Sequence, residues 1–167
     1  MVGTGGNGRA FWGAATAVVA LDVATKLIVE RTLTPHVPRQ ILGDVVRFTL
    51  AYNPGAAFSM SLGAASRWIF AACACIALVV LWRLYRASGP GERLKALALG
   101  LAWGGAAGNL IDRVRSTAGV VDFIDIGVRS VRFWTFNVAD SGVSVGAVLL
   151  GVILTREDRQ ARQLSGD

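Results

Sequence analysis

The sequence predicts an all-α membrane protein with four transmembrane helices and a small β-rich element in the long link between helices 1 and 2. Hydrophobic residues make up 53% of the 167 residues and charged residues only 17%. A soluble domain needs more charge to cover its surface. Mean hydropathy is +0.51. Four separate apolar segments are also each long enough to cross a hydrocarbon core of about 30 Å.

The apolar segments lie, in chain order, at residues 11–29, 68–85, 94–111 and 138–154. Because the bilayer core holds no water to bind free backbone groups, each segment is expected to be a helix. The length of the chain suits one compact unit, so we expect a single integral membrane domain over residues 1–167.

The links between these segments differ greatly in length. Residues 86–93 form a short link with a Ser-Gly-Pro-Gly sequence, which predicts a tight turn. Residues 30–67 and 112–137 form long links, and long links in compact domains are usually functional. In the first, residues 44–52 are rich in β-branched and aromatic side chains, which predicts a strand at the membrane surface, and residues 129–136 are similar.

Glycines recur at a spacing of four in the last two helices, at Gly100, Gly104 and Gly108 and again at Gly142 and Gly146. Small residues at this spacing allow helix backbones to approach closely. We therefore expect both helices to pack through these glycines.

Several functional classes are disfavoured by composition. The net charge is +6, but the basic residues are scattered and form no run, so nucleic-acid binding is not expected. His36 is the only histidine, which leaves little basis for a histidine metal site or a Ser-His-Asp relay. Cys73 and Cys75 are two apart on a helix and do not face each other, so we expect small buried side chains.

The charge on the shortest link indicates the orientation. Four basic residues lie on or beside this link, namely Arg83, Arg86, Arg93 and Lys95. Short loops rich in lysine and arginine usually stay in the cytoplasm. Both termini are therefore expected to be cytoplasmic, with the two long links on the outer face.

Polar residues converge on that outer face. In an antiparallel bundle, the ends of helices 1 and 3 and the starts of helices 2 and 4 lie together. These ends carry Asp22, Lys26, Asn109, Asp112, Arg113, Asn137 and Asp140. A carboxylate in a membrane helix is costly, so each aspartate here is a candidate for a functional site.

The aspartates differ in how easily a structural role explains them. Asp22 and Lys26, at positions i and i+4, fit either a structural ion pair or a site. Asp112 with Arg113 fits an interfacial pair. Asp140 has no basic residue on its own helix before Arg156, so it needs a partner from elsewhere.

Two nearby aspartates suit the hydrolysis of a peptide bond. Two adjacent carboxyls cannot both ionise easily, so one retains its proton. The ionised carboxylate can activate a water as a general base while the other acid protonates the substrate carbonyl. The residue pattern alone does not decide between Asp122 and Asp125 as the partner of Asp140. Paired carboxylates also suit proton or ion transport.

Five sequence blocks resemble those of the lipoprotein signal peptidase family, the type II signal peptidases. They occur in the family's order and cover nearly the whole chain. The blocks are Asp22–Lys26, Asn53–Phe58, Gly104–Arg113, Val120–Phe123 and Phe136–Ser141. Val23 stands where a polar residue is common in the family.

The resemblance implies that Asp122 and Asp140 are the catalytic pair. It further implies that eleven other residues of these blocks bind substrate or support the site, and these are Asp22, Lys26, Asn53, Gly55, Ala57, Phe58, Gly105, Asn109, Arg113, Asn137 and Ala139. No metal or organic cofactor is implied.

The implied substrate is a prolipoprotein whose cysteine carries a diacylglyceryl group, cut just before that cysteine. The implied setting is the bacterial inner membrane, with lipid around a monomer and the active site near the outer face. A rival hypothesis is a small proton- or ion-coupled carrier that uses the same carboxylates. A third is a non-catalytic scaffold, which would tolerate the loss of both aspartates.

Overall fold

A computed structural model describes residues 4–54 and 65–165 of the chain. The helices are α1 (Thr4–Thr32), α2 (Ser66–Ala87), α3 (Arg93–Arg115) and α4 (Val138–Ser165). The strands are β1 (Arg39–Leu42), β2 (Val46–Asn53), β3 (Val120–Val128) and β4 (Val131–Arg132). All four helices are long and apolar enough to cross a membrane, which confirms the predicted fold class. Each helix extends beyond its predicted segment because polar residues continue it past the apolar stretch.

The strands form one antiparallel sheet in the order β1-β2-β3-β4. β2 confirms the strand expected at 44–52. The second expected strand was largely wrong, because only Val131–Arg132 of residues 129–136 forms a strand, with an isolated bridge at Phe136. The long strand of that link is β3, which the sequence did not predict. The link between α3 and α4 therefore supplies half of the sheet.

Close helix packing depends on the glycines. α3 lies between α1 and α4 and also contacts α2. A Cβ atom added at Gly104 would lie 2.7 Å from the carbonyl oxygen of Ala15, and one at Gly146 would lie 2.6 Å from that of Ala98. Real Cβ contacts do not reach such distances. The predicted role of the glycines in packing is confirmed, and α1 is a partner as well as α4.

The α2 helix is the least buried of the four and packs mainly on α3. Cys73 and Cys75 are exposed on its surface, so the expectation that both are buried was wrong. Their apolar surroundings face outward because, among the described residues, α2 packs mainly on α3. The short link from α2 to α3 is the expected tight turn, in which Glu92 accepts a hydrogen bond of 2.8 Å from the amide of Gly89.

The sheet is fixed to the end of α1 by an apolar cluster. Its buried members are Val29 from α1, Leu50 from β2, and Val121 and Phe123 from β3. Because side chains alternate along a strand, Asp122 points to the face opposite Val121 and Phe123. On that face Asp122 meets Asn137, the residue just before α4.

Candidate active site

The polar site is built around Asn137, which caps the N-terminus of α4. The Oδ1 atom of Asn137 accepts a hydrogen bond of 2.9 Å from the amide of Asp140, and Asp140 Oδ2 accepts one of 3.2 Å from the amide of Asn137. This reciprocal arrangement is a capping box, which satisfies amides that a helix leaves free at its start. Asn137 is fully buried, whereas Asp140 is partly exposed. The cap fixes the Asp140 carboxylate beside the Asn137 side chain.

Asp122 reaches the same asparagine from the sheet. Asn137 Nδ2 donates to Asp122 Oδ1 over 2.7 Å, and Asn53 Nδ2 donates to the other oxygen over 3.3 Å. Pairing of β2 with β3 places Ala51 opposite Asp122, so Asn53, at the end of β2, lies next to the carboxylate. The structure thus brings both predicted aspartates onto one residue, Asn137.

Asn109 of α3 completes the link between the aspartates. Lys26 donates to Asn109 Oδ1 over 3.1 Å, and Asn109 Nδ2 donates to Asp140 Oδ1 over 2.7 Å. An ammonium group can only donate, so the amide oxygen must face Lys26 and the amide nitrogen must face Asp140. Asn137 Nδ2 also lies 3.2 Å from Asn109 Oδ1. Lys26 therefore sets the direction of this hydrogen-bond chain.

Lys26 belongs to a buried ion cluster behind the aspartate pair. Its ammonium lies 2.7 Å from Asp22 Oδ2 and 2.8 Å from Asp112 Oδ2, and all three side chains are at most 2% exposed. The other oxygen of Asp22 accepts a hydrogen bond of 2.9 Å from the amide of Ala139. Asp22 thus binds both the first turn of α4 and the Lys26 ammonium. Of the two roles that the sequence left open for Asp22, these contacts fit the structural ion pair.

The pairing of Asp112 with Arg113 was wrong. Asp112 binds Arg115, with 2.8 Å between Arg115 Nε and Asp112 Oδ1, and points inward to Lys26. Residues three apart on a helix lie on the same face, whereas adjacent residues do not. Arg113 instead donates to the carbonyl oxygen of Asn109 over 3.1 Å and lies over the ring of Phe70.

Asp125 is excluded from the site by its position in the sheet. It lies three residues after Asp122, so its side chain points to the other face. There it forms ion pairs with Arg47 and Arg132 and accepts a hydrogen bond of 3.0 Å from Thr49. Although burial opposes the shift, these donors hold the pKa of Asp125 below its usual value.

Asp122 has the opposite electrostatic environment. Burial raises its pKa, and the nearby charge of Asp140 raises it further, to about 7. Hydrogen bonds from Asn53 and Asn137 lower the pKa but do not offset these effects. A carboxyl of this kind retains a proton near neutral pH, which is the property that a general acid needs.

The remaining predicted site residues have different positions. Gly105 and Ala139 lie where α3 meets α4, and a Cβ atom at Gly105 would lie 2.9 Å from the amide nitrogen of Val143. They allow the close approach that brings Asn109 to Asp140. Gly55, Ala57 and Phe58 lie outside the described residues.

Two charged residues of the site, Arg115 and Glu30, were not predicted as members, and Asp112 was a candidate only through the general rule for carboxylates in membrane helices. Arg115 joins Asp112 to Glu30, with 3.0 Å between the Arg115 Nη2 and Glu30 Oε2 atoms. The three-residue spacing of Asp112 and Arg115 on a helix was a signal that could have linked them. Glu30 had no such signal, because its partner lies on another helix.

The fold and the site together define a class, an integral membrane protein of four helices with a pair of aspartates, one buried and one partly exposed, at one end of the bundle. The model of the family described as signal peptidase (SPase) II matches residues 14–156. The lipoprotein signal peptidase of Cupriavidus necator is 42% identical over 149 residues, which cover 87% of this chain and 83% of that protein. That of Ectopseudomonas mendocina is 40% identical over 149 residues, covering 87% and 88%.

Two solved structures have a similar fold. A bacterial membrane enzyme solved at 2.3 Å superposes with a TM-score of 0.78 at 30% identity, covering 87% of each chain. Another, solved at 1.9 Å, gives a TM-score of 0.75 at 31% identity, covering 84% of this chain and 89% of that one. The chain belongs to the signal peptidase II family, and it is a multi-pass peptidase of the bacterial inner membrane.

Proposed function

We propose that this peptidase is an aspartic endopeptidase that removes the signal peptide of diacylglyceryl-modified prolipoproteins by cutting just before the lipidated cysteine. Membership of the signal peptidase II family supports the removal of signal peptides from lipoproteins. The observation that carries the aspartic mechanism is the meeting of Asp122 and Asp140 on Asn137. The sheet supplies one carboxyl and α4 supplies the other, and general acid–base hydrolysis needs both.

Asp140 is the proposed general base. Its two oxygens accept hydrogen bonds from Asn109 and from the amide of Asn137, and both contacts favour a negative charge. Its position in the first turn of α4 favours that charge as well. It is also partly exposed, so a water molecule has access to it. Asp140 takes a proton from this water as the water oxygen attacks the scissile carbonyl carbon.

Asp122 is the proposed general acid, since its raised pKa keeps a proton available. It gives that proton to the carbonyl oxygen as the tetrahedral intermediate forms. When the intermediate collapses, the carbon–nitrogen bond breaks, Asp140 returns its proton to the leaving nitrogen, and a hydroxyl proton of the intermediate returns to Asp122. The enzyme ends in its starting protonation state, and no covalent intermediate is needed.

The position of the pair suits a substrate held by lipid. Both aspartates lie where the sheet meets the ends of α1, α3 and α4, and we place this end at the outer face of the membrane. The basic residues around the α2–α3 turn, among them Arg86 and Arg93, then lie in the cytoplasm with both termini. A diacylglyceryl group holds the cleavage site of its substrate at the same interface. The proposed working form is a monomer surrounded by membrane lipid.

We expect cleavage to lose activity as the pH rises through about 7, because the proton of Asp122 is then lost. The rate falls, and does not rise, with pH because an acid that must donate a proton works only below its pKa. Initial rates on a saturating lipidated precursor, measured from pH 5 to 9, test this expectation. A rate that stays constant from about pH 6 to pH 9 would remove Asp122 from the role of acid.

The proposed reaction is tested with the purified full chain in proteoliposomes and a precursor with or without its diacylglyceryl group. Gel shift detects cleavage, and mass spectrometry of the products locates the cut. We expect a product that begins with the lipidated cysteine, and no cleavage of the unmodified precursor. A cut at another bond, or equal cleavage of both precursors, would refute the proposed specificity. Charge movement across the vesicles without proteolysis would favour the ion-coupled carrier.

A further inference from the structure

Asp112 is a buried carboxylate with both oxygens bound, and it is neither the proposed general base nor the proposed general acid. Its Oδ2 atom lies 2.8 Å from the ammonium of Lys26 and accepts a hydrogen bond of 3.1 Å from the amide of Val121. Its Oδ1 atom accepts one of 2.8 Å from Arg115 Nε. The side chain is 2% exposed, so substrate does not reach it.

One of these contacts leads directly to the Asp122 strand. Val121 precedes Asp122 on β3, and its amide is held by Asp112 while its carbonyl oxygen accepts a hydrogen bond of 3.2 Å from Asn137 Nδ2. The same Nδ2 donates to Asp122 Oδ1. The strand is thus held between α3 and α4 at the residue before the proposed acid.

Another contact leads to Asp140. The ammonium of Lys26 has three hydrogens, and its three acceptors are Asp22, Asp112 and Asn109. Without Asp112, the ammonium loses one of the two carboxylates that fix its position under Asn109. Asn109 then loses the fixed donor that keeps its amide nitrogen directed at Asp140.

The third contact ties this arrangement to the surface. Arg115 bridges Asp112 of α3 and Glu30 in the last turns of α1. Asp22 and Asp112 together exceed the charge of Lys26 by one negative charge, which the guanidinium of Arg115 offsets. The bridge closes the end of α1 against the end of α3, next to the start of β3.

We propose that Asp112 is a positioning residue that aligns both members of the aspartate pair, Asp122 through the amide of Val121 and Asp140 through Lys26 and Asn109. This inference rests on the proposed function of the pair. One buried side chain would then fix the position of β3, which carries Asp122, relative to α4, which carries Asp140. The strand and the helix each pack against α3. Asp112 acts through these neighbours and does not touch substrate.

Asp112→Asn tests the proposal, because an amide cannot accept hydrogen bonds on both sides as the carboxylate does. We expect kcat to fall about 10- to 100-fold, as for small misplacements of catalytic groups, with KM within about twofold, since substrate binding is untouched. Asp125→Asn is the matched control. Asp125 also bridges two cations, Arg47 and Arg132, but on the other face of the sheet, and this variant should keep its kcat within about twofold.

The dependence of the cleavage rate on pH distinguishes a positioning role from a loss of stability, because a loss of stability alone does not shift the alkaline limb. The charged groups facing Asp122 are Asp140 on α4, Lys26 on α1 and Arg113 on α3. Removing the charge of Asp112 leaves Lys26 less compensated, and Lys26 lowers the pKa of Asp122. The alkaline limb of the rate should therefore move to lower pH in Asp112→Asn and stay in place in Asp125→Asn.

A normal kcat and an unmoved limb in folded Asp112→Asn would overturn the proposal. If that variant does not fold, Arg115→Gln is the second test, because it keeps the Asp112 carboxylate and removes only the guanidinium that donates to Asp112 and Glu30. It should still lower kcat several-fold at unchanged KM. A wild-type kcat in Arg115→Gln would again overturn the proposal. Failure of the proposed function is a separate outcome. It would appear as normal cleavage by Asp122→Asn or Asp140→Asn, whatever the behaviour of Asp112→Asn.

Discussion

Replacing Asp122 or Asp140 by asparagine is expected to lower kcat by about four to six orders of magnitude, the loss seen when one member of a catalytic unit is removed. Asparagine keeps the shape of aspartate but can neither release nor take up the proton in transit. The protein should remain folded and inserted, because Lys26, Asp22 and Asp112 hold the ends of α1 and α3 independently of the pair.

The measurement is a single-turnover gel shift on a lipidated precursor with matched amounts of each variant. Asp125→Asn serves as the control, since it removes a carboxylate from the same strand at a position that faces away from Asn137. The double variant adds a second test. If the aspartates act as one unit, it should be no more than about tenfold slower than the worse single variant. Losses that multiply would show that the two residues act independently.

Replacing Lys26 by methionine is expected to destabilise the protein by about 3–5 kcal/mol. The substitution preserves most of the apolar stem but removes the common counter-ion of Asp22 and Asp112, which are 0% and 2% exposed. Asp112 keeps its ion pair with Arg115, but Asp22 is then buried without a cation, and its desolvation cost is no longer offset by an ion pair. Denaturant unfolding in detergent micelles, followed by tryptophan fluorescence, measures the loss.

Lys95 provides the matched control for this prediction. It also faces two carboxylates, Glu92 at 3.7 Å and Glu157 at 3.1 Å, but its side chain is 21% exposed. Exposed ion pairs contribute about 0.2–1 kcal/mol, so Lys95→Met should change stability by no more than that. Equal effects of the two substitutions would mean that the Lys26 cluster is hydrated and does not hold the helices together.

Much of the fold follows from patterns that are local in the chain. The four apolar segments predict the helices because the bilayer imposes both their length and their conformation. The glycine spacing at Gly100, Gly104 and Gly108 predicts close packing because it repeats on one helix face. The sheet was only partly predictable. β3 forms by pairing with β2 across a long separation in sequence, and residues 129–136 look like a strand but find little to pair with.

The candidate site was also predictable only in part. Convergence of polar residues at one end follows from antiparallel order, and the family blocks point to Asp122. The physical reason for preferring Asp122 over Asp125 appears only in the sheet, where the two side chains point to opposite faces. Asp112 was misread because adjacency in sequence suggested Arg113, whereas the helix turns its carboxylate toward Lys26 and Arg115.

The most direct test of the aspartate pair is a titration of its shared proton. Difference infrared spectra of the full chain in lipid resolve the C=O band of a protonated carboxyl, and the band that disappears in Asp122→Asn belongs to Asp122. We expect this band to be lost near pH 7 in the wild type. In Asp140→Asn it should be lost at a lower pH, because the repulsion between the carboxylates is gone. If the Asp122 carboxyl titrates at the same pH with and without Asp140, the two carboxyls do not interact, and the proposed catalytic pair is contradicted.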